Sequence, residues 1–236
     1  MNKKFQLLAA SIVILITASC SSGGEKTSTS DAQDVKASEY DQIYVVNTDD
    51  SHVAWEGYKP TGTHDGIVLL SNGNLNLKGD GLTGGKFTLD MNTITVEDLQ
   101  DPDKNARLTG HLKSADFFEV ETYPTASFKI TGIRPVQEND LNTEKEKGDV
   151  VPTHVISGNL IMKNISKNIS FNAKVDMNDG MIKAETNQFF IDRVDWNVQY
   201  GSKRIFDDLR DNFVNDEIGI KIYLVAEPGS NPTAGS

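Results

Sequence analysis

The fold is decided by residues 111–128, which read HLKSADFFEVETYPTASF. The period of the apolar residues changes within this stretch. Around its start, Leu108, Leu112 and Ala115 recur at the spacing of one face of a helix. After Pro124, every second residue is apolar, which is typical of a half-buried strand. The stretch therefore predicts a short helix that packs across a β structure.

Most of the remaining chain reads as short strands separated by turns. Apolar and polar residues alternate strictly over residues 169–178, and the Asn-Asp-Gly sequence at 178–180 predicts a hairpin turn. A second hairpin is predicted at the Asn-Gly pair of residues 72–73. About eight strands with one apolar face indicate an antiparallel barrel or a sandwich, and the period alone does not separate these two folds.

The predicted helix has recognisable ends. Asp101 can cap its N-terminus, Pro102 suits the first helical position, and we expect the helix to end near Ser114. Residues 137–149 are charged and show no periodicity, so they predict an exposed loop.

The N-terminus carries the pattern of an export signal. Two lysines precede a mostly apolar run over residues 5–16, and Cys20, the only cysteine, follows small residues. The pattern predicts that residues 1–19 are a secretory signal peptide. The surroundings of Cys20 resemble a bacterial lipobox, in which the cysteine is lipidated, although Thr17 replaces the usual leucine. Ordinary cleavage that leaves a free thiol is the alternative, which an oxidising compartment disfavours.

The chain divides into an anchor, a tether, one folded body and a tail. Residues 20–42 are rich in Ser, Thr, Gly and Asp and predict a flexible tether with a mean reach of about 25 Å. Residues 43–226 carry the strand pattern, and residues 227–236 predict a disordered tail. Acyl chains on Cys20 would anchor the protein to a membrane of the bacterial cell envelope. Because no dense acidic run follows the cysteine, we expect it to face the periplasm.

The net charge argues against one class of partner. The full chain carries a formal charge of −11, which becomes −13 when the signal peptide and its two lysines are removed. Such an acidic body repels phosphate backbones, and the sequence shows no basic patch. We therefore expect no interaction with nucleic acid.

Three segments resemble the signature segments of the YceI family, bacterial proteins with a lipocalin-like barrel that bind polyisoprenoid lipids. They are residues 111–128, residues 158–171 (GNLIMKNISKNISF) and residues 190–196 (FIDRVDW). Asn164 and Asn168 replace the usual Gly and Pro of the family, and both residues tolerate turns. The resemblance implies an all-β fold, an antiparallel eight-stranded lipocalin-like barrel with one short helix packed across it. The chain would be a lipoprotein member of that family.

The resemblance implies a membrane-tethered carrier that holds a polyisoprenoid lipid, either an isoprenoid quinone or a polyprenyl phosphate, inside the barrel. Small inward residues such as Ala126, Ala173 and Ala184 would leave room for the tail. The residues expected to line the tail site are Trp55, Phe87, Phe117, Phe118, Phe128, Leu160, Phe171 and Trp196. The residues expected near the head group are His111, Lys113 and Arg193.

These candidates also have a structural interpretation. Arg193 lies between Asp192 and Asp195, where an arginine is most often a local ion-pair partner, although its fork can also hold a phosphate or a quinone. His111 and Lys113 have the same two interpretations. The aromatic residues can simply fill a core, which would make the protein a structural or interaction lipoprotein with a filled barrel.

An enzymatic function has less support. Asp116, Glu119, Glu121, Asp192 and Asp195 lie close to aromatics, and carboxylates can carry out acid–base chemistry on a lipid. No nucleophile elbow or phosphate-binding loop accompanies them. The four histidines show no metal-ligand spacing. We therefore expect no catalytic residue, no metal and no cofactor besides the bound lipid, and a homodimer stays open.

Overall fold

The structure is a computed structural model of the 236-residue chain, and it describes residues 25–141 and 147–229. The predicted signal peptide, Cys20 and most of the predicted tail lie outside the described residues. The strands are β1 (Glu25–Lys26), β2 (Ser30–Asp31), β3 (Gln42–Val46), β4 (His52–Lys59), β5 (Gly62–Lys78), β6 (Gly81–Asp90), β7 (Thr125–Pro135), β8 (His154–Met162), β9 (Ile165–Asn178), β10 (Met181–Glu185), β11 (Phe189–Asp192) and β12 (Glu217–Pro228). The helix α1 spans Pro102–Lys113, and short 3-10 turns span Met91–Thr93, Glu138–Asp140, Arg193–Trp196 and Arg210–Asn212.

Eight of the strands close into a ring. Neighbours pair in the order β4, β5, β6, β7, β8, β9, β10 and β12, and β12 pairs with β4 to complete the circle. Every pairing around the ring is antiparallel. The predicted eight-stranded antiparallel barrel is therefore confirmed, and the sandwich is excluded.

The last strand, β12, connects the ring on both of its edges. One edge pairs with β4 and β3, and the other pairs with β10 and β11. On each edge, the hydrogen-bond ladder is interrupted between the two partner strands, and a side-chain hydroxyl accepts the hydrogen bond of a β12 amide there. Ser51 Oγ accepts a hydrogen bond from Val225 N at 3.0 Å, and Thr186 Oγ1 accepts one from Ile222 N at 3.0 Å. Both interruptions are therefore bridged without unpaired β12 amides.

The helix α1 begins and ends where the sequence predicts. Asp101 Oδ1 accepts hydrogen bonds from two backbone N–H groups of the first turn at 3.0 and 3.1 Å. Pro102 occupies the first position, where no N–H is required, and Ser114 is the C-terminal cap. Leu112 is only 7% exposed and packs α1 onto the barrel core. In the described part of the chain, no helix has the length and apolar character needed to cross a membrane.

The structure corrects the hairpin predicted at residues 72–73. β5 continues through these residues, and its register against β6 shifts just after Leu70, as in a β-bulge. Gly73 is required by close packing, because a Cβ there would lie 2.8 Å from side-chain atoms of Phe87 and Val46. Here the Asn-Gly pair marks a close approach inside a strand instead of a turn.

Within residues 20–42, which were predicted to be a flexible tether, residues 25–33 contact the barrel. β1 pairs with β11, and β2 pairs with β9. Gln33 exchanges two hydrogen bonds with Asn159, N–H to Oδ1 at 3.0 Å and Nδ2 to carbonyl at 2.7 Å. These contacts use backbone groups and polar side chains, so they leave no apolar period in the sequence.

Candidate functional site

The inside of the barrel holds an apolar cavity of about 240 Å³. Inward-facing side chains of the ring form its wall, and Leu108, His111 and Leu112 of α1 cover part of it. An engineered apolar cavity of about 150 Å³ stays dry and binds benzene. The hollow is therefore large enough for an apolar ligand. Side chains do not fill the barrel.

Seven of the eight residues predicted to line a lipid tail lie in the cavity wall. They are Trp55, Phe87, Phe117, Phe118, Phe128, Leu160 and Phe171. Phe171 is central among the aromatics, since its ring stacks on Phe189 at 4.8 Å between centroids and lies 5.5 Å from Phe128. Contact between these side chains and a lipid stays a prediction.

Trp196 does not belong to the lining. Its side chain is 0% exposed, and its Nε1 donates a hydrogen bond to Leu160 O at 3.0 Å. It lies in the 3-10 turn that follows β11, and the hydrogen bond ties this turn to β8. The sequence suggested a lining position because an aromatic follows a strand, but the turn takes Trp196 out of the strand's alternation.

The polar end of the cavity lies beside α1. Lys59 and Tyr200 are the two exposed residues of the lining, and both lie at this end. The ring of His111 makes edge contacts with Tyr200 at 4.5 Å and with Phe117 at 5.0 Å. We call Lys59, His111 and Tyr200 the mouth residues.

The opposite end of the barrel is closed by small and aliphatic side chains. Val46, Leu77, Ile182 and Ala226 are at most 5% exposed and lie outside the cavity lining. Ile182 and Val46 both pair with Ala226 of β12, on its two edges. Over the described residues, the cavity is therefore accessible at the end that bears the mouth residues.

His111 is the head-group candidate that lines the cavity and can still form a hydrogen bond with a ligand. It lies in the last turn of α1, lines the cavity, and is about one-third exposed. Its Nε2 lies 3.3 Å from Asp116 Oδ2. The imidazole can donate or accept one further hydrogen bond at the mouth.

Lys113 does not face the cavity. Its Nζ donates a hydrogen bond to Asn92 O at 2.7 Å, which ties the end of α1 to the 3-10 turn after β6. The structure therefore supports the structural interpretation of Lys113 and corrects its assignment to a head group.

Arg193 lines the cavity, but its guanidinium is already bound. It donates to the carbonyls of Asn215 at 2.9 Å, Val198 at 2.5 Å and Val214 at 3.0 Å, and lies 3.5 Å from Asp216 Oδ1. The side chain is 1% exposed. Burial lowers the pKa of Arg193 below its usual value, although nearby carboxylates oppose this shift. The geometry favours a structural arginine that braces the loop before β12.

A polar pair at the mouth was missed from the sequence. His64 lines the cavity, and its Nδ1 lies 2.8 Å from Asp98 Oδ2. Desolvation raises the pKa of Asp98, but hydrogen bonds from His64 and from the Asp65 N–H outweigh it, so that pKa lies below its usual value. The two residues are far apart in sequence and share no motif spacing, which is why no pattern linked them. Tyr200 was missed because its segment has no strand period.

The carboxylates considered for acid–base chemistry do not meet in the cavity. None of the five belongs to its lining. Arg204 binds Asp192 at 2.6 Å, and the Thr29 hydroxyl donates to Asp195. Over the residues that the structure describes, no group of three or more His, Cys, Asp or Glu side chains is placed to hold a metal ion.

A closed eight-stranded barrel around an apolar hollow is a lipocalin-like fold. The family model for the YceI-like domain matches residues 44–226, and the chain belongs to this family. No curated protein matches the chain. Its fold is similar to the crystal structure of Burkholderia cenocepacia BcnA, with 20% identity, 76% of this chain and 98% of that chain covered, and a TM-score of 0.57. It is also similar to a polyisoprenoid binding domain from Saccharophagus degradans implicated in plant cell wall breakdown, with 15% identity, 80% and 99% covered, and a TM-score of 0.52.

Proposed function

We propose that the protein is a membrane-tethered carrier that holds the prenyl tail of a polyisoprenoid lipid in the barrel. The observation that carries this proposal is the apolar hollow, whose accessible end bears the polar mouth residues. A polyisoprenoid lipid has the same division into a long apolar tail and a polar head. The description of the Saccharophagus degradans domain as polyisoprenoid binding adds support from a protein of similar fold.

The alternatives have less support from the described residues. A structural lipoprotein with a filled barrel would have no use for a hollow of about 240 Å³. An enzyme acting on a bound lipid would need reactive groups beside it, and the candidate carboxylates lie outside the lining.

The mouth favours a neutral head group such as a quinone over a polyprenyl phosphate. Phosphate recognition uses arginine forks or several free cations. Here the fork of Arg193 is bound to backbone carbonyls, as is the ammonium of Lys113. Lys163 Nζ likewise donates to Phe117 O at 2.9 Å. The polar groups left at this end of the cavity include Lys59, His64 and His111. Each histidine lies beside a carboxylate, and these groups suit hydrogen bonds to a neutral head.

The source of the ligand explains why an anchor would help. Burying a methylene from water gains about 0.8 kcal/mol, but a prenyl lipid starts in a bilayer, where its tail is already buried. The gain from the tail therefore largely cancels, and selection depends on tail shape and head-group contacts. Lipidation at Cys20 in the bacterial cell envelope, facing the periplasm, would keep the barrel beside the membrane that supplies its ligand.

The test is native mass spectrometry of the full chain purified from bacterial cells, followed by organic extraction. We expect one prenyl lipid per protein. Phe118→Asp and Phe171→Asp should lose the lipid, because each places a charge in the apolar wall. Leu69→Asp is the matched control, since Leu69 is 39% exposed and lies outside the lining. Wild-type protein without lipid would reject the carrier function, and folded Phe118→Asp and Phe171→Asp variants that retain lipid would reject the tail site.

A further inference from the structure

The barrel wall contains one place where neighbouring strands are not paired with each other. β10 pairs with both β9 and β12, whereas β11, which continues along the same edge of β12, pairs with β12 and not with β9. Within the described residues, the edge of β9 that faces β11 therefore has no partner from the ring over residues 165–173, whereas the other edge pairs with β8. We call this gap between β9 and β11 the seam. The rings of Phe171 and Phe189 stack across it.

Residues 25–33, which we call the strap, fill the seam from outside the ring. β1 runs parallel to β11, and β2 runs antiparallel to β9. Thr27 bonds to both sides, because its N–H donates to Phe190 O at 2.9 Å and its hydroxyl donates to Ser170 O at 3.2 Å. Thr27 is 6% exposed. The strap precedes the segment matched by the family model.

Polar contacts hold the strap in place. The Lys26 ammonium pairs with the Glu217 carboxylate, and the Thr29 hydroxyl donates to Asp195. Lys167 Nζ lies 3.1 Å from Asp31 Oδ1. Over residues 26–33, Thr27 is the one buried side chain, and no large apolar side chain is present. Exposed polar contacts exchange with water at little net cost, so we expect the strap to detach from the wall at a low cost.

The cavity lies directly behind the seam. Ile169 and Phe171 of β9 line it on one side, and Phe189 and Ile191 of β11 line it on the other. An extended prenyl chain can pass sideways through a parted seam while its head group stays at the mouth. Passage through the mouth alone would require the whole tail to thread past the polar groups there.

We propose that the strap is a latch on a side entrance to the cavity. Its detachment from β9 opens the wall for an extended apolar chain, and its return closes the wall around that chain. The identity of the chain as a prenyl tail rests on the proposed function.

A reversible cross-link tests the latch in the full chain. The side chains of Thr29 and Asp195 are hydrogen-bonded, so the double variant Thr29→Cys with Asp195→Cys is oxidised to lock the strap, and a thiol titration verifies that the disulfide has formed. Uptake of a fluorescent long-chain polyprenol from phosphatidylcholine vesicles is then followed before and after reduction. Thr29→Cys alone is the control, because Cys20 is the only native thiol.

The latch predicts slow uptake by the oxidised double variant, recovery on reduction, and no redox effect in the control. Asp31→Lys tests the opposite change, because it places two ammonium groups together at Lys167. It should accelerate uptake about two- to fivefold, the factor expected from losing one exposed ion pair. Equal uptake by the oxidised and reduced double variant, or by Asp31→Lys and wild type, overturns the latch alone. No uptake by any form overturns the proposed function as well.

Discussion

Extraction of the bound lipid is expected to destabilise the barrel by an amount set by its hollow. An empty apolar cavity costs about 24 cal/mol per Å³, so a volume of about 240 Å³ corresponds to about 6 kcal/mol. For a domain of this size, 1 kcal/mol shifts the melting temperature by about 2–4 °C. Removal of the lipid should therefore lower the melting temperature by about 12–24 °C.

Differential scanning calorimetry of native and extracted protein measures this shift, with mass spectrometry to verify that the lipid has gone. Adding a polyprenol back should restore the higher melting temperature. Ala173→Leu is a matched variant, because Ala173 lines the cavity and is 3% exposed. Partial filling of the hollow should make this variant less sensitive to extraction. Identical melting temperatures for lipid-bound and lipid-free wild type would refute the reasoning.

Four further substitutions test structural roles through the stability of the fold. Arg193→Met leaves three backbone carbonyls and a buried carboxylate without their cation, so the free energy of unfolding in urea should fall by about 3–5 kcal/mol; an unchanged urea midpoint would contradict the bracing role. Gly158→Ala puts a Cβ 2.2 Å from a phenyl ring and should cost about 1–3 kcal/mol in the same assay, whereas Gly110→Ala in α1 meets nothing within 4 Å and should gain about 1 kcal/mol. Burial lowers the pKa of His154, so the unfolded chain binds a proton more readily than the folded protein. Stability therefore falls as the pH drops below about 6.5. Thermal melts at about pH 7.5 and 5 should show a smaller drop in melting temperature for His154→Asn than for wild type.

The sequence predicted those elements that are determined by neighbouring residues. The cap at Asp101 and the proline after it determine the start of α1, and both lie within the first turn. The hairpin predicted at residues 178–180 is also present, because Asp179 and Gly180 take up the positive φ angles that the turn needs, 55° and 73°. Strict alternation over residues 169–178 before that turn favoured one register in which the apolar faces coincide.

The sequence was less informative where a residue's role depends on distant parts of the chain. Position 73 in β5 requires glycine, because the side chains of Phe87 and Val46 occupy the space that a Cβ would need. The strap could not be predicted, since its partners are backbone groups of β9 and β11, more than a hundred residues away. Arg193 lines the cavity, but only the folded loop supplies the carbonyls that bind its guanidinium.

The dual role of β12 has a consequence for how the chain folds. Glu217–Pro228 follows all the other strands of the ring in sequence, yet it pairs with the first strand of the ring and with the ring strand just before it. Until it is made, β4 and β10 each keep an unpaired edge, and such edges favour aggregation. Closure therefore joins residues that are far apart in sequence, which is intrinsically slow. Chains truncated before Glu217 should depend on chaperones that shield open sheet edges.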